Sequence, residues 1–240
     1  MYRSTGIAID LSPRAVGRVL LRIVFALAAA SALAQVVGYH LGEPWLGVVD
    51  MFDANVEANF PTLFSTAALA CSCALAAAIA VSERGGQDSR RWSALAGLFA
   101  FAAIDETVSV HEEFREPVES LVSTGGLLSD PWVVAGAVLA AAVGAYFRAL
   151  VRRLPPPVRR LAITGVLVFA GASLGVESVS NMLANRSDVS SLAADLVGTV
   201  SELFEMVGVV LIIQALLLYI ARERGSLSVT ISVDGRGPRG

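Results

Sequence analysis

Asp105, Glu106, His111, Glu112 and Glu113 crowd into AIDETVSVHEEF, at the end of an otherwise apolar run. On one helix they would occupy about two and a half turns. Carboxylates this close repel one another, so they must share protons or bind a cation. Oxygen-rich sites suit Mg²⁺, Ca²⁺ or Mn²⁺, and a histidine among the oxygens widens the choice to Zn²⁺ or Fe²⁺. Asp105, Ser109 and Glu112 follow i, i+4, i+7 spacing and would form one helical stripe, with Glu106 and Glu113 flanking it.

Other segments carry matching groups. GASLGVESVSN sets Ser173, Glu177, Ser180 and Asn181 on one face, and DLVGTVSELFEMVG does the same for Asp195, Thr199, Glu202, Glu205 and Met206. Glu57 stands just ahead of Pro61 in VEANFP. The chemistry expected of this set is a divalent metal ion held by Asp105, His111, Glu112, Glu177, Glu202, Glu205 and Glu57. His111 or Glu112 would be the candidate catalytic base, because a bound cation activates water. The chain has two histidines, His40 and His111, and no Glu-x-x-His pair, which removes a three-histidine zinc centre and the di-iron bundle pattern. Cys71 and Cys73 point to opposite sides of a helix and read as small apolar residues.

The elements that must position these groups are transmembrane helices. The chain has 240 residues, 55% hydrophobic and 16% charged, with a mean hydropathy of +0.66. Soluble domains carry about 25% charged residues. Six stretches are long enough to span a bilayer: about 15–41, 61–82, 92–113, 132–152, 159–183 and 192–222. No lysine occurs, so all 18 basic residues are arginine, which excludes lysine-based covalent catalysis. The arginines gather before the first stretch, after every second one and behind the last, whereas the alternate loops hold only Arg115 and Arg186. The positive-inside rule then predicts an all-α polytopic bundle of six transmembrane helices in a cell membrane, with both termini cytoplasmic.

Residues 1–225 form this domain, and 226–240 are expected to be a mostly disordered cytoplasmic tail, because SVTISV alternates like a strand but shows no partner. Counting the helical rise from the arginine boundaries puts the acids of four segments in the outer leaflet. The fourth stretch has no intramembrane acid and reads as a lipid-facing wall. Trp45, Trp92 and Trp132 read as interfacial anchors, and Gly171 with Gly175 as a GxxxG approach site.

VEANFPTLFSTAAL and AIDETVSVHEEF, with VES and SELFEMVG further on, resemble a group of uncharacterised prokaryotic six-span membrane proteins. The shared features are a Glu-x-Asn-x-Pro start on one helix and an Asp-Glu-x4-His-Glu end on the next. That resemblance implies the site positions and no reaction. The general plan is also similar to ceramidase-like and progestin-receptor-like membrane hydrolases, but their multiple histidine ligands are missing.

Three functions stay open. A metal site among lipid headgroups suits a hydrolase or lipid-modifying enzyme acting on a lipid or small-molecule substrate. A proton- or cation-coupled transporter would titrate the same acids, although no inverted repeat or broken helix is visible. A non-catalytic membrane subunit or assembly factor would use the polar stripes to bind partner helices. No basic patch with interleaved aromatics occurs, so nucleic acid is not expected as a partner. Oligomeric state is not encoded in any motif.

Overall fold

The computed structural model describes residues 7–10, 12–42, 46–110, 131–184, 190–224 and 228–231. A strand, β1 (Ile7–Asp10), leads into the long helix α1 (Pro13–Leu41). The short helix α2 (Leu46–Asp50) and an irregular segment, 51–59, precede α3 (Phe60–Ser82) and α4 (Ser89–Val108). Then come α5 (Pro131–Arg153), α6 (Pro156–Gly171), a π-helical segment (Ala172–Val176), α7 (Glu177–Ala184), α8 (Ser191–Arg224) and β2 (Ser228–Ile231).

Among the described residues, five helical segments are long and apolar enough to cross a membrane: Pro13–Leu41, Phe60–Ser82, Val134–Arg153, Pro156–Ser180 and Ser191–Glu223. Their outer faces carry exposed Phe25, Leu33, Leu63, Leu139 and Leu167, as a lipid-facing surface requires. The chain is therefore a membrane-embedded helical protein.

Helix α8 is the axis of the bundle and packs on α1, α3, α6, the π segment and α7. Its Val209, Val210, Ile213, Leu216, Leu217 and Ile220 are buried. It runs antiparallel to α1: Gly17 lies against Gln214 at one end, and Ser31 meets Thr199 at the other. Between α6 and α8 the backbones touch. A Cβ on Gly165 would lie 2.9 Å from the Gly208 carbonyl oxygen, and one on Gly208 would lie 2.8 Å from the Gly165 oxygen. Close backbone approach through small residues is how membrane helices gain dispersion energy. The expected GxxxG pair makes no such approach among the described residues, where no atom stands within 4 Å of a Cβ at Gly171 or Gly175.

Helix α4 lies antiparallel along the whole of α3. Ser89 Oγ donates to the Ala80 carbonyl (3.2 Å) at one end, and the Thr66 and Thr107 hydroxyls bond (3.1 Å) at the other. Trp92 is 2% exposed and stacks obliquely on Tyr219 with ring centroids 5.0 Å apart, so it is a core residue and not the expected interfacial anchor. Helix α5 stands apart, with Val138 65% and Leu139 63% exposed, matching the expected lipid-facing wall.

Asp88 anchors α5 to the α3–α4 turn. Its Oδ1 accepts from Arg153 (2.7 Å) and from Arg91 (2.9 Å). Burial opposes its ionisation, but hydrogen bonds and charge from Arg153 and Arg91 outweigh that and hold the carboxyl below its ordinary range. A depressed folded value means that the stabilisation is complete above the ordinary aspartate range. It is lost as pH falls below that range through the folded value. Arg153 is 43% exposed on its side chain, so the tie contributes about 1 kcal/mol or less. Asp88→Asn is expected to lower the melting temperature by about 2–4 °C at pH 7. That difference should shrink on acidification, which thermal melts of both proteins across pH would measure.

Strands β1 and β2 pair antiparallel, Ile7 opposite Ile231 and Asp10 opposite Ser228. This corrects the expectation for the tail. Ser228–Ile231 does have a partner, but it lies more than 200 residues away in sequence, beyond any local pattern. Residues 232–240 lie outside the described residues.

Candidate functional site

The polar end of the bundle is built on the segment 51–59 and on Asn59 in particular. Its Oδ1 caps α3 by accepting from the Thr62 N–H (3.0 Å) and the Thr62 hydroxyl (3.1 Å). Its Nδ2 reaches the carbonyls of Asp50 (3.2 Å), Asp53 (2.5 Å) and Val56 (2.6 Å). Pro61 then occupies the first helical turn, where its missing N–H costs nothing. The Glu-x-Asn-x-Pro sequence is thus a helix start and a loop knot in one.

The knot holds Ala58 at φ 59°, and the adjacent Glu57 carboxylate accepts from the hydroxyl of Ser109, whose own φ is 53°. These are the two non-glycine residues with positive φ among the described residues. Left-handed backbone costs an L residue about 1–2 kcal/mol, and such strain concentrates at functional sites. Ser109 ends α4, its N–H bonding the Asp105 carbonyl (2.7 Å). This corrects the reading of 92–113 as one helix. Thr107, Val108 and Val110 are β-branched and weaken the helix there. The stripe expected from Asp105 through Ser109 is therefore interrupted at Ser109, and Glu112 lies outside the described residues.

On the opposite wall, Asn55 Nδ2 donates to the Asp195 carbonyl (3.0 Å) and Ser180 Oγ to that of Ala194 (2.9 Å), seating the loop and α7 on the first turns of α8. Gly198 makes room for Asn55, since a Cβ there would overlap the Asn55 carboxamide oxygen. Below it, Gln35 Nε2 donates to Asp53 Oδ1 (2.7 Å) and to Thr199 Oγ1 (2.7 Å), and Ser31 Oγ accepts from the Ala54 N–H (2.9 Å). Further along α8, Ser201 Oγ donates to the carbonyl of Ala172 (3.0 Å), the first residue of the π segment. A π turn leaves a carbonyl short of its usual partner, and the buried hydroxyl supplies one. The π turn at 172–176 thus sits inside one helical run, Pro156–Ser180, without breaking it.

The sequence-predicted residues now have places. Glu57 is exposed at the loop and tied to Ser109. Asp105 is half-buried on the last turn of α4, and Glu202 and Glu205 are half-buried on α8. None of Asp105, Glu106, Glu202 and Glu205 is without a partner. Glu177 opens α7 immediately after the π segment, and its side chain lies outside what is described. His111 and Glu112, with Glu113, lie outside the described residues. Among the described residues, no three His, Cys, Asp or Glu side chains converge closely enough to hold a metal ion.

Ser31, Gln35 and Asn55 escaped the sequence reading. The signal was present: Ser31 and Gln35 stand four apart in an apolar stretch, on one helix face.

A family model described as "Domain of unknown function (DUF8692)" matches residues 19–220. No curated protein and no solved structure matches the chain significantly.

Proposed function

Starting from a chain that belongs to the DUF8692 family, whose description assigns no activity, we propose a six-span protein of the prokaryotic plasma membrane. Its acidic outer end would bind a divalent cation and use it to hydrolyse or modify a lipid or lipid-linked substrate. Both termini of the chain would face the cytoplasm. The pairing of β1 with β2 supports an even number of crossings, since the start of α1 and the end of α8 must then share a side. Five apolar helices need one more to reach an even number, and α4 matches α3 from end to end. The arginine distribution favours the same arrangement.

The observation that supports the functional reading is that Asp53, Glu57 and Asp195 belong to one loop-and-helix end of the bundle, with Asp105 four residues before Ser109. The strained Glu57–Ser109 contact lies among them. Acids at headgroup depth need neutralising charge, and a cation there would polarise a phosphate or ester oxygen and activate water. His111, Glu112 and Glu177 would complete the ligand set, with His111 or Glu112 as base.

Elemental analysis of the purified protein tests this. We expect a near-stoichiometric divalent metal, reduced at least about tenfold in Asp105→Asn and in Glu205→Gln. Absence of metal, even after Zn²⁺, Mn²⁺, Fe²⁺ and Ca²⁺ have been offered, would overturn the reading. A proton- or cation-coupled transporter is the second reading. It is favoured by the π turn at 172–176, because π turns inside helices are frequent at functional sites.

A further inference from the structure

We propose that Arg14, Arg18 and Arg22 of α1 hold the phosphate of an anionic phospholipid, whose acyl chain lies along Phe25, Ala29 and Leu33 of the same helix. The buried face of α1 carries Gly17, Val24, Ala28, Ser31 and Gln35. It meets α8 at Gln214, at Met206 and Val210, and at Thr199. The three arginines stand about 60–140° round the helix from that face, and all three are exposed. The other helix packed on α1, α2, lies at the far end, where Gly38 meets Val49. Among the described residues no acid pairs with any of the three arginines. Arg18 Nε donates to the Arg14 carbonyl at 3.4 Å.

Depth sets this stripe apart from the arginines at helix ends. Helix α1 has 29 residues, about 42 Å of helix against a hydrocarbon core of about 30 Å. Counted back from Leu41, Arg22 falls about 28 Å along it, at the hydrocarbon boundary. Arg18 and Arg14 follow about 6 and 12 Å further out, so the stripe crosses the headgroup layer. A guanidinium keeps its charge there and matches phosphate through two parallel hydrogen bonds.

Below Arg22 the same stripe turns apolar. Phe25 is 57% and Leu33 65% exposed, and Ala29 between them is exposed too. A free phosphate would use the arginines alone. A lipid uses both halves, with headgroup on the basic turns and acyl chain on the apolar ones. The stripe lies at the opposite end of α1 from Ser31 and the acidic loop, so it shares no residue with the divalent centre proposed above, and either can fail alone.

Phe25→Trp places a fluorophore on the stripe. The purified full chain is reconstituted in phosphatidylcholine vesicles containing brominated phosphatidylglycerol or brominated phosphatidylcholine, and the quenching of the wild type is subtracted. Phosphatidylglycerol is expected to bind at least about tenfold more tightly than phosphatidylcholine at this position. Arg18→Gln and Arg22→Gln should each cut that preference about threefold to fivefold. Arg22→Lys keeps the charge and should keep most of the preference. Tyr146→Trp, 53% exposed and close to Arg148 on α5, is the control at similar depth, where the preference should stay below about threefold. An equal preference at the two positions would mean a general attraction to the arginine end and would overturn the proposal. So would equal quenching by the two lipids at Phe25→Trp, or a preference unchanged in the Arg18→Gln, Arg22→Gln double variant. Reversal by excess soluble glycerophosphate would make this a free-phosphate site and would overturn it as well.

Discussion

Gly208→Leu is expected to prevent the α6–α8 pair from closing, so that the protein loses its monodisperse peak in detergent or melts well below the wild type. The new Cβ alone would sit 2.8 Å from the Gly165 oxygen, the Phe169 nitrogen and the Phe169 Cβ. Two of those three atoms are backbone and cannot swing aside. Overpacking a well-packed core costs about 1–3 kcal/mol, and here the displaced group is a whole helix. Gly171→Leu supplies the control. Nothing stands within 4 Å of its Cβ, and the variant should behave as wild type. If the two variants melted alike, the helix contact would not be where the structure has it.

Asn59→Ala should be nearly as damaging. The substitution removes the α3 cap, worth about 0.5–2 kcal/mol, and the donor that holds the Asp50, Asp53 and Val56 carbonyls. Together these predict a loss of about 2–4 kcal/mol, read as a fall in melting temperature with faster proteolysis within 51–59. Asn59→Asp keeps the acceptor for Thr62 and cannot donate to carbonyls, so it should recover about half the loss. Full recovery by aspartate would show that the cap matters and the knot does not.

The helices were readable because a bilayer demands long apolar runs, and their bounds agree closely. The stretch 61–82 is found as Phe60–Ser82, and 132–152 as Pro131–Arg153. What escaped were contacts between distant segments. GxxxG counting pointed to Gly171 and Gly175, yet the pair that touches is Gly165 with Gly208, one glycine on each of two helices. Spacing on one helix cannot reveal such a pair. Gln35 was overlooked because a single amide in an apolar run resembles an ordinary interfacial residue until Asp53 and Thr199 are seen beside it. The end of α4 at Ser109 depended on a left-handed residue that is not glycine, which composition does not announce. The acids could be grouped in the sequence by counting depth along each helix. Their individual partners were not.

The β1–β2 ladder bears on how the molecule is made. Its halves flank everything else, so residues 7–10 leave the ribosome first and must wait unpaired until residues 228–231 follow. With the six crossings proposed above, pairing would require every intervening helix to be threaded so that the chain returns to its starting side. A helix left out of the bilayer, or inserted backwards, would leave the two strands on opposite sides of the membrane. The ribbon thus joins the two halves of the chain only when insertion is correct.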